Sequence, residues 1–203
     1  MEQLIKTLKT KNFSAYWVET KEEAKELALS LIPANASIAM GNSQTIREIG
    51  LFDELISGDY NFINQFEKGI SPVENLQRRK NGLLSDVYLS STNAITLDGK
   101  LINIDGKGNR VGAMMFGPDK VIIIAGKNKV VENEEAAWQH LRQYTAPGLA
   151  KKLGRQTPCA TTGVCSDCSS PQRICRCYTM ISSQMPADQN RINIIVVNQE
   201  LGL

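Results

Sequence analysis

The two longest apolar runs of the chain are nearly continuous, and this constrains the fold more than any other feature. Val121–Ala125 and Ile192–Val197 consist mainly of β-branched residues. A strand covered on both faces needs apolar residues at successive positions, whereas a half-exposed strand alternates. Helical patterns separate these runs along the chain. The sequence therefore predicts an α/β fold, with a mainly parallel sheet and helices on both faces.

Local signals mark where the other elements begin and end. Thr20 and Glu23 have the spacing of a capping box and open a predicted helix over 21–31. Ser71-Pro72 begins a second helix, and 132–143 reads as a third. Asp-Gly turns at 98–99 and 105–106 suggest an antiparallel insert within 86–104. Further short strands are predicted at 13–18, 37–40 and 60–63.

Length and composition indicate one globular domain. The chain has 203 residues, of which 42% are hydrophobic and 22% charged, and its net charge is +2. We expect a single domain over 1–203, with a helical and strand segment at 1–34. No like-charge run indicates nucleic acid, and no apolar run reaches the roughly 18 residues of a membrane span. The N-terminus lacks the apolar stretch of a signal peptide, so we expect a cytoplasmic protein.

All five cysteines fall within nineteen residues, at 159, 165, 168, 175 and 177. Clustered thiolates suit a metal or iron–sulfur site, because sulfur ligands must converge on one point. Two other interpretations stay open: a local disulfide or redox switch, and uncoordinated cysteines on a loop. The segment 157–178 reads as a Cys-rich loop inserted before the last strand.

Two polar segments next to predicted strands are candidates for ligand binding. Gly41-Asn42-Ser43 and Thr45 open a short helix, where backbone N–H groups favour an anion. The alternative is a plain helix cap. Asn128 and Lys129 follow the strand 121–125, and ligands of open α/β sheets bind beyond such strand ends. The alternative there is a solvated loop.

A third group surrounds the two Asp-Gly pairs. Asn93, Asn109 and Arg110 lie at predicted strand ends. Arg110 could fork onto a carboxylate or phosphate, and Asp105 could act as a general base if burial raised its pKa. The alternative is that both Asp-Gly pairs are hairpin turns and Arg110 is solvated.

These segments together resemble the lactate-utilisation (LUD) domain family, in its LutC-like group. The resemblance rests on Gly41-Asn42-Ser43-x-Thr45-x-x-Glu48-Ile49-Gly50, on the run 85–96, on Asn103-Ile104-Asp105-Gly106-x-Gly108-Asn109-Arg110-Val111, on Gly117-Pro118, on Gly126-x-Asn128-Lys129, on Ala146-Pro147, and on Pro158-Cys159, Cys165-x-Asp167-Cys168 and Arg173-Ile174-Cys175. It covers about residues 35 to 203. Cys177 is extra to the four-cysteine pattern, and His140 stands where relatives often have arginine.

The resemblance implies a fold and a role. The fold would be similar to that of ribose-5-phosphate isomerase and CoA transferases. The role would be that of a subunit in an iron–sulfur complex that oxidises L-lactate to pyruvate, together with sister subunits. Cys159, Cys165, Cys168 and Cys175 would hold the cluster, with Cys177 a further candidate.

Three functional hypotheses follow. The first is this redox subunit, which need not be catalytic itself. The second is an enzyme or sensor for a small carboxylate, phosphate or acyl ligand, with Asp105 as base, Asn93 beside it and Arg110 or Lys129 stabilising charge. The third is a domain with a purely structural zinc site. The sequence leaves homo-oligomerisation open.

Overall fold

The computed structural model describes all 203 residues. The helices are α1 (Glu2–Thr10), α2 (Lys21–Ser30), α3 (Gln44–Glu48), α4 (Leu51–Ser57), α5 (Pro72–Asn81), α6 (Asn109–Met115), α7 (Glu134–His140), α8 (Ala146–Lys152) and α9 (Pro158–Thr162). The strands are β1 (Ser14–Val18), β2 (Ser37–Met40), β3 (Asn61–Phe62), β4 (Val87–Ser90), β5 (Ala94–Thr96), β6 (Leu101–Asp105), β7 (Lys120–Gly126), β8 (Val130–Val131), β9 (Cys177–Ile181) and β10 (Ile192–Val197).

Six strands form a parallel sheet in the order β1-β10-β7-β4-β2-β3. The two continuous apolar runs, β7 and β10, are neighbours at its centre. Ile192–Val197 pairs with Val121–Gly126 in register. All six residues of β10 are buried. The predicted parallel α/β sheet is confirmed.

Successive residues of the central strands face two different cores. Ile122 and Ile124 point into one core with residues of α2, α3 and α4. Val121 and Ile123 point into the other, where α1, α6 and residues of a second sheet cover the face. Helices therefore lie on both faces, as predicted, but a second sheet shares one face with them.

The second sheet has four strands in the order β8-β5-β6-β9. β5 and β6 form an antiparallel hairpin through Asp98-Gly99, and Gly99 adopts the positive φ of 81° that the turn requires. A third core lies between this sheet and α7 and α8. The predicted antiparallel insert is thus present, and β9 extends it by pairing antiparallel with β6.

Several local predictions hold, and two need correction. Thr20 and Ser71 accept hydrogen bonds from backbone N–H groups three residues on, as N-caps. Asp105-Gly106 is not a hairpin turn, because it leads into α6 instead of a returning strand. The Cys-rich segment is not wholly a loop, since α9 lies within it and β9 begins at Cys177.

The parallel sheet brings four strand ends to one edge. β2, β4, β7 and β10 are consecutive neighbours, so their carboxyl ends meet there. The segments that follow begin at residues 41, 91, 127 and 198. No helix of the protein has the length and apolar character needed to cross a bilayer.

Candidate functional site

Arg110, at the start of α6, is the centre of a buried polar network. A guanidinium group has five N–H donors, and here Nε, Nη1 and Nη2 all find acceptors within the protein. The donor–acceptor distances are 2.8 to 3.2 Å, to Asp105 Oδ2, Ser91 O, Asn103 Oδ1, Asn93 Oδ1 and Ile104 O. We call these residues the Arg110 network.

The partners of Arg110 are equally occupied. Asp105 accepts from the backbone N–H groups of Lys107 and Gly108 with Oδ1, and from Arg110 with Oδ2. Asn93 Oδ1 accepts from Ile104 N as well as from Arg110. The geometry gives Arg110, Asp105 and Asn93 a structural role. It offers no support for their predicted catalytic roles, because binding a substrate would require breaking internal bonds.

Gly41 belongs to this network through its lack of a side chain. A Cβ at position 41 would lie 2.9 Å from Cγ of Arg110 and 3.5 Å from the Tyr88 hydroxyl. Burial raises the pKa of Tyr88, although the positive charge of Arg110 acts in the opposite direction. Burial also lowers the pKa of Arg110, against the effect of Asp105. Gly41 therefore permits the close approach of Arg110 to the end of β2.

Lys129 forms a second centre, next to the first. Its side chain is almost fully buried, with 3% of its surface exposed. Nζ donates to Thr45 Oγ1 at 3.1 Å and to Ser91 Oγ at 3.0 Å. We call Lys129, Thr45 and Ser91 the Lys129 site. Ser91 joins the two centres, because its carbonyl oxygen accepts from Arg110.

The electrostatics of the Lys129 site are unusual for a lysine. Lys129 takes part in none of the ion pairs of the protein. Burial, followed by the positive charge of Arg110, lowers its pKa to about 7, and the negative charge of Glu48 acts more weakly in the opposite direction. Near neutral pH the amine therefore exists in both protonation states.

The remaining predicted binding residues have other tasks. Ser43 caps α3 by accepting from Ile46 N at 3.3 Å, as the plain-cap alternative predicted. Asn42 is exposed. Asn109 begins α6. Asn128 Oδ1 accepts from the backbone N–H of Leu201 at 3.0 Å.

The segment Gln199–Leu203 covers Lys129, and sequence reasoning did not place it there. Gly202 N donates to Glu48 Oε2 at 2.6 Å. A Cβ on Gly202 would lie 3.2 Å from Lys129 Nζ and 2.5 Å from Thr45 Oγ1. Gly202 also has a positive φ of 67°. Glycine there lets the covering segment lie directly against the lysine.

Ser91 and His140 were not among the predicted site residues. Ser91 directly follows β4, so the strand-end rule applied to Lys129 would have found it as well. His140 ends α7, just before a π-helical turn at Leu141–Thr145. Burial, followed by the charge of Lys129, lowers the pKa of His140.

The five cysteines are all free. Arg173 organises their segment: it donates to the carbonyl oxygens of Cys168 and Cys175 and to the Tyr178 hydroxyl, at 2.6, 3.0 and 3.1 Å. Cys159 is buried, and its Sγ lies 3.3 Å from Thr157 Oγ1. No three Cys, His, Asp or Glu side chains are arranged so that they could hold a metal ion. The thiols as placed do not fit a cluster, so the iron–sulfur centre stays a prediction.

A cavity of about 710 Å³ lies far from these residues. It opens between the loop after α6 and the loop after β9, next to Lys120 and Ile192 at the amino ends of β7 and β10. None of the predicted site residues lines it. The lysine at the carboxyl edge is chemically better suited to bind a ligand than this cavity, whose Arg191 is already bonded to three carbonyl oxygens.

The fold and the site define an α/β protein with a six-stranded parallel sheet and a buried, unpaired lysine at its carboxyl edge. The chain belongs to the LUD domain family, whose model matches residues 1–197. No curated protein matches the chain.

Two solved structures are similar to it. A DUF162 family protein from Deinococcus radiodurans has a TM-score of 0.55 and 15% identity, over 97% of this chain and 95% of that one. Ribose 5 phosphate isomerase A from Neisseria gonorrhoeae has a TM-score of 0.38 and 16% identity, over 66% and 63%. The first similarity supports the fold alone, and the second is too weak to support an inference about this chain.

Proposed function

We propose that this LUD domain protein binds a small carboxylate at the Lys129 site. L-Lactate is the first candidate ligand. One observation carries the proposal: a buried lysine at the carboxyl edge of the parallel sheet has two hydroxyl partners and no carboxylate. Buried charges are normally paired, so an unpaired one suits a ligand of opposite charge. The family, named for lactate utilisation, suggests which carboxylate to test.

Binding would be coupled to the protonation of Lys129. Burial and Arg110 hold its pKa at about 7. A carboxylate next to Nζ favours the ammonium form and raises that pKa again. The ligand therefore replaces the missing counter-ion, and its affinity falls as the pH rises above 7. The hydroxyl groups of Thr45 and Ser91 would orient the ammonium toward the ligand.

Calorimetric titration with L-lactate, D-lactate and pyruvate at pH 6.5 tests the proposal. Lys129→Met should abolish binding, because it removes the cation and keeps the length of the side chain. Lys127→Met is the matched control, since Lys127 is exposed and contacts only Asn198 through its amine. Equal binding by wild type and Lys129→Met would refute the site, and no binding of any small carboxylate by wild type would refute the function.

We further propose the LutC-like role, in which the protein works with sister subunits of a lactate-oxidising complex and carries an iron–sulfur cluster. Five thiols within one segment support it. That segment also contacts the Arg110 network, since Cys177 is the register partner of Asp105 and Arg176 N donates to Asp105 O. A bound cluster would supply one-electron transfer, and the cysteines would have to move together to hold it.

Iron and zinc analysis of anaerobically purified protein separates the hypotheses. The redox-subunit proposal predicts iron and sulfide that are lost in Cys168→Ser, whereas a structural site predicts zinc and a lower Tm for that variant. Ser166→Ala, in the same segment, is the control. Protein that is free of both metals would refute both proposals and leave the carboxylate site untouched.

A further inference from the structure

The hydrogen bonds at Lys129 match the neutral amine. Nζ donates to two oxygen atoms only, those of Thr45 and Ser91. Both hydroxyls give their own hydrogens away: Thr45 Oγ1 to Leu201 O at 3.4 Å, and Ser91 Oγ to Thr92 O at 3.3 Å. With their hydrogens directed at these carbonyl oxygens, both hydroxyls can accept from Nζ. An amine has two N–H donors and an ammonium has three, so two acceptors satisfy the amine and leave its lone pair free.

A free lone pair on a buried amine is a nucleophile. Arg110, whose donors are all occupied, acts on it through its charge alone. The other charged or titratable groups acting on Lys129 are Glu48, on α3, and His140, at the end of α7. None of them hydrogen-bonds to Nζ. The lone pair is therefore available for a bond to carbon.

We propose that Lys129 forms a reversible imine with the carbonyl carbon of a 2-oxo acid. This deepens the proposed function and rests on it, because the same site must first admit a carboxylate. Nζ would attack C2 of the acid, and the carbonyl oxygen would take up a proton to give a carbinolamine. Loss of water then gives the C=N double bond. The two hydrogens of the amine leave with the oxygen as water, and no oxidant or reductant is consumed.

The hydroxyls of Thr45 and Ser91 serve these proton transfers. Both lie within hydrogen-bond distance of Nζ and can rotate from accepting to donating once the amine has reacted. They are positioned by different elements, Thr45 by α3 and Ser91 by the segment after β4. The reacting nitrogen is thus held from two sides, and the carbinolamine oxygen can receive a proton from either one.

Entry of the acid requires movement of Gln199–Leu203, which lies against Nζ. Five hydrogen bonds hold that segment. Its own N–H groups donate from Leu201 to Asn128 and from Gly202 to Glu48. Its oxygens accept from Lys127 N, Lys21 N and Thr45 Oγ1, at 3.0, 3.1 and 3.4 Å. No disulfide or ion pair fixes it. Leu201 is buried in the core beside α3 and α4, so the segment opens by local unfolding of the chain end, which costs less than global unfolding.

Reductive trapping tests the proposal. Full-length protein is incubated with pyruvate and cyanoborohydride, which reduces the imine to a stable secondary amine, and the modified peptide is mapped by mass spectrometry. The inference predicts one reduced pyruvate adduct per chain, on Lys129, formed at least ten times faster than on any other lysine. L-Lactate, which lacks a carbonyl, should protect Lys129 from trapping.

The controls separate this inference from the proposed function. Lys127→Met should be trapped like wild type and Lys129→Gln should not. Thr45→Val, which removes one hydroxyl and keeps the shape, should be trapped more slowly. Calorimetric binding of pyruvate without any adduct on Lys129 would overturn the imine and preserve the carboxylate site. Absence of both binding and adduct would overturn both, as would adducts spread evenly over surface lysines.

Discussion

Arg110 and Lys129 are two buried cations joined by Ser91, and they differ in how completely their donors are used. Arg110 has five acceptors and one ion-pair partner, Asp105. Lys129 has two hydroxyl acceptors and no ion pair. Burial lowers the pKa of both. An arginine keeps its proton despite this, whereas a lysine with a pKa of about 7 is partly neutral near pH 7.

The difference shows which of two neighbouring charges serves the fold and which is left for a ligand. A saturated guanidinium fixes the loops after β4 and β6 and the start of α6. An unpaired amine costs folding free energy, and such costs are typical of functional sites. The substitutions below test this division, from the largest expected effect to the smallest.

Arg110→Met should cause the largest loss of stability. It leaves Asp105 Oδ2 without its donor and removes one donor each from Asn103 Oδ1 and Asn93 Oδ1. Removal of one partner from a buried ion pair costs about 3–5 kcal/mol. Denaturant unfolding measures this cost. Arg110→Lys is the control, since it keeps the charge but loses the planar guanidinium with its five N–H donors. It should recover only part of the stability. A stable Arg110→Met that fails only to bind ligand would reverse the assignment.

Lys129→Met should instead stabilise the protein. Met removes the desolvation cost of the buried ammonium, and the replacement of buried ion pairs by apolar residues, which removes such costs, often stabilises proteins by about 1–4 kcal/mol. The folded-state pKa of about 7 is below the usual lysine value. Below about pH 7 the wild type therefore bears the whole free-energy cost of burying the ammonium. It regains stability as the pH rises further, because the buried amine is then neutral. The gain in Tm should therefore be greatest near pH 6 and shrink toward pH 10. A gain that does not change with pH would contradict the lowered pKa.

Gly41→Ala should destabilise the Arg110 network by about 1–3 kcal/mol, because its Cβ would crowd the stem of Arg110. The predicted contact is 2.9 Å from Arg110 Cγ. Gly112→Ala is matched to it: position 112 lies in α6 and its nearest neighbour is 3.8 Å away. That change should be neutral or stabilising by up to about 1 kcal/mol. Equal effects in chemical unfolding would mean that Gly41 is not packed against Arg110.

Asn128→Ala should have the smallest effect, confined to the segment that covers Lys129. Loss of the bond to Leu201 N weakens the closed form by about 0.5–1.5 kcal/mol. Hydrogen exchange at the Leu201 amide should become several times faster while the central strand β10 is unchanged. Asn42→Ala, at an exposed position of the same edge, should leave the exchange rates of both the Leu201 amide and β10 unchanged. Unchanged exchange at Leu201 would show that other bonds keep this segment in place.

The sheet could be predicted from the sequence because the information was local. β7 and β10 are continuous apolar runs, and Thr20 and Ser71 cap their helices through neighbours three residues away. β9 was missed because the apolar residues Tyr178 and Met180 stand at its exposed positions, so its sequence does not show the alternation of its burial. Its pairing with β6 also joins residues distant in sequence.

The site was predicted only in part. The sequence named Thr45, Asn93, Asp105, Arg110 and Lys129 as candidates, and the structure places Thr45 in α3 and Arg110 in α6. Which of these side chains has all its hydrogen-bonding groups occupied depends on geometry across several loops. Asp105 and Arg110 looked like a base and a substrate clamp because spacing does not reveal that each already has its partners. The covering of Lys129 by Gly202 joins residues 73 positions apart in sequence, which no local pattern encodes.

The coupling of ligand to proton at Lys129 tests the account most directly. L-Lactate is titrated into the protein at pH 8 in two buffers that differ in ionisation enthalpy. A lysine with a pKa of about 7 is mostly neutral there, so the account predicts uptake of about one proton per lactate bound and none in Lys129→Met. Lactate binding by the wild type without proton uptake would contradict it.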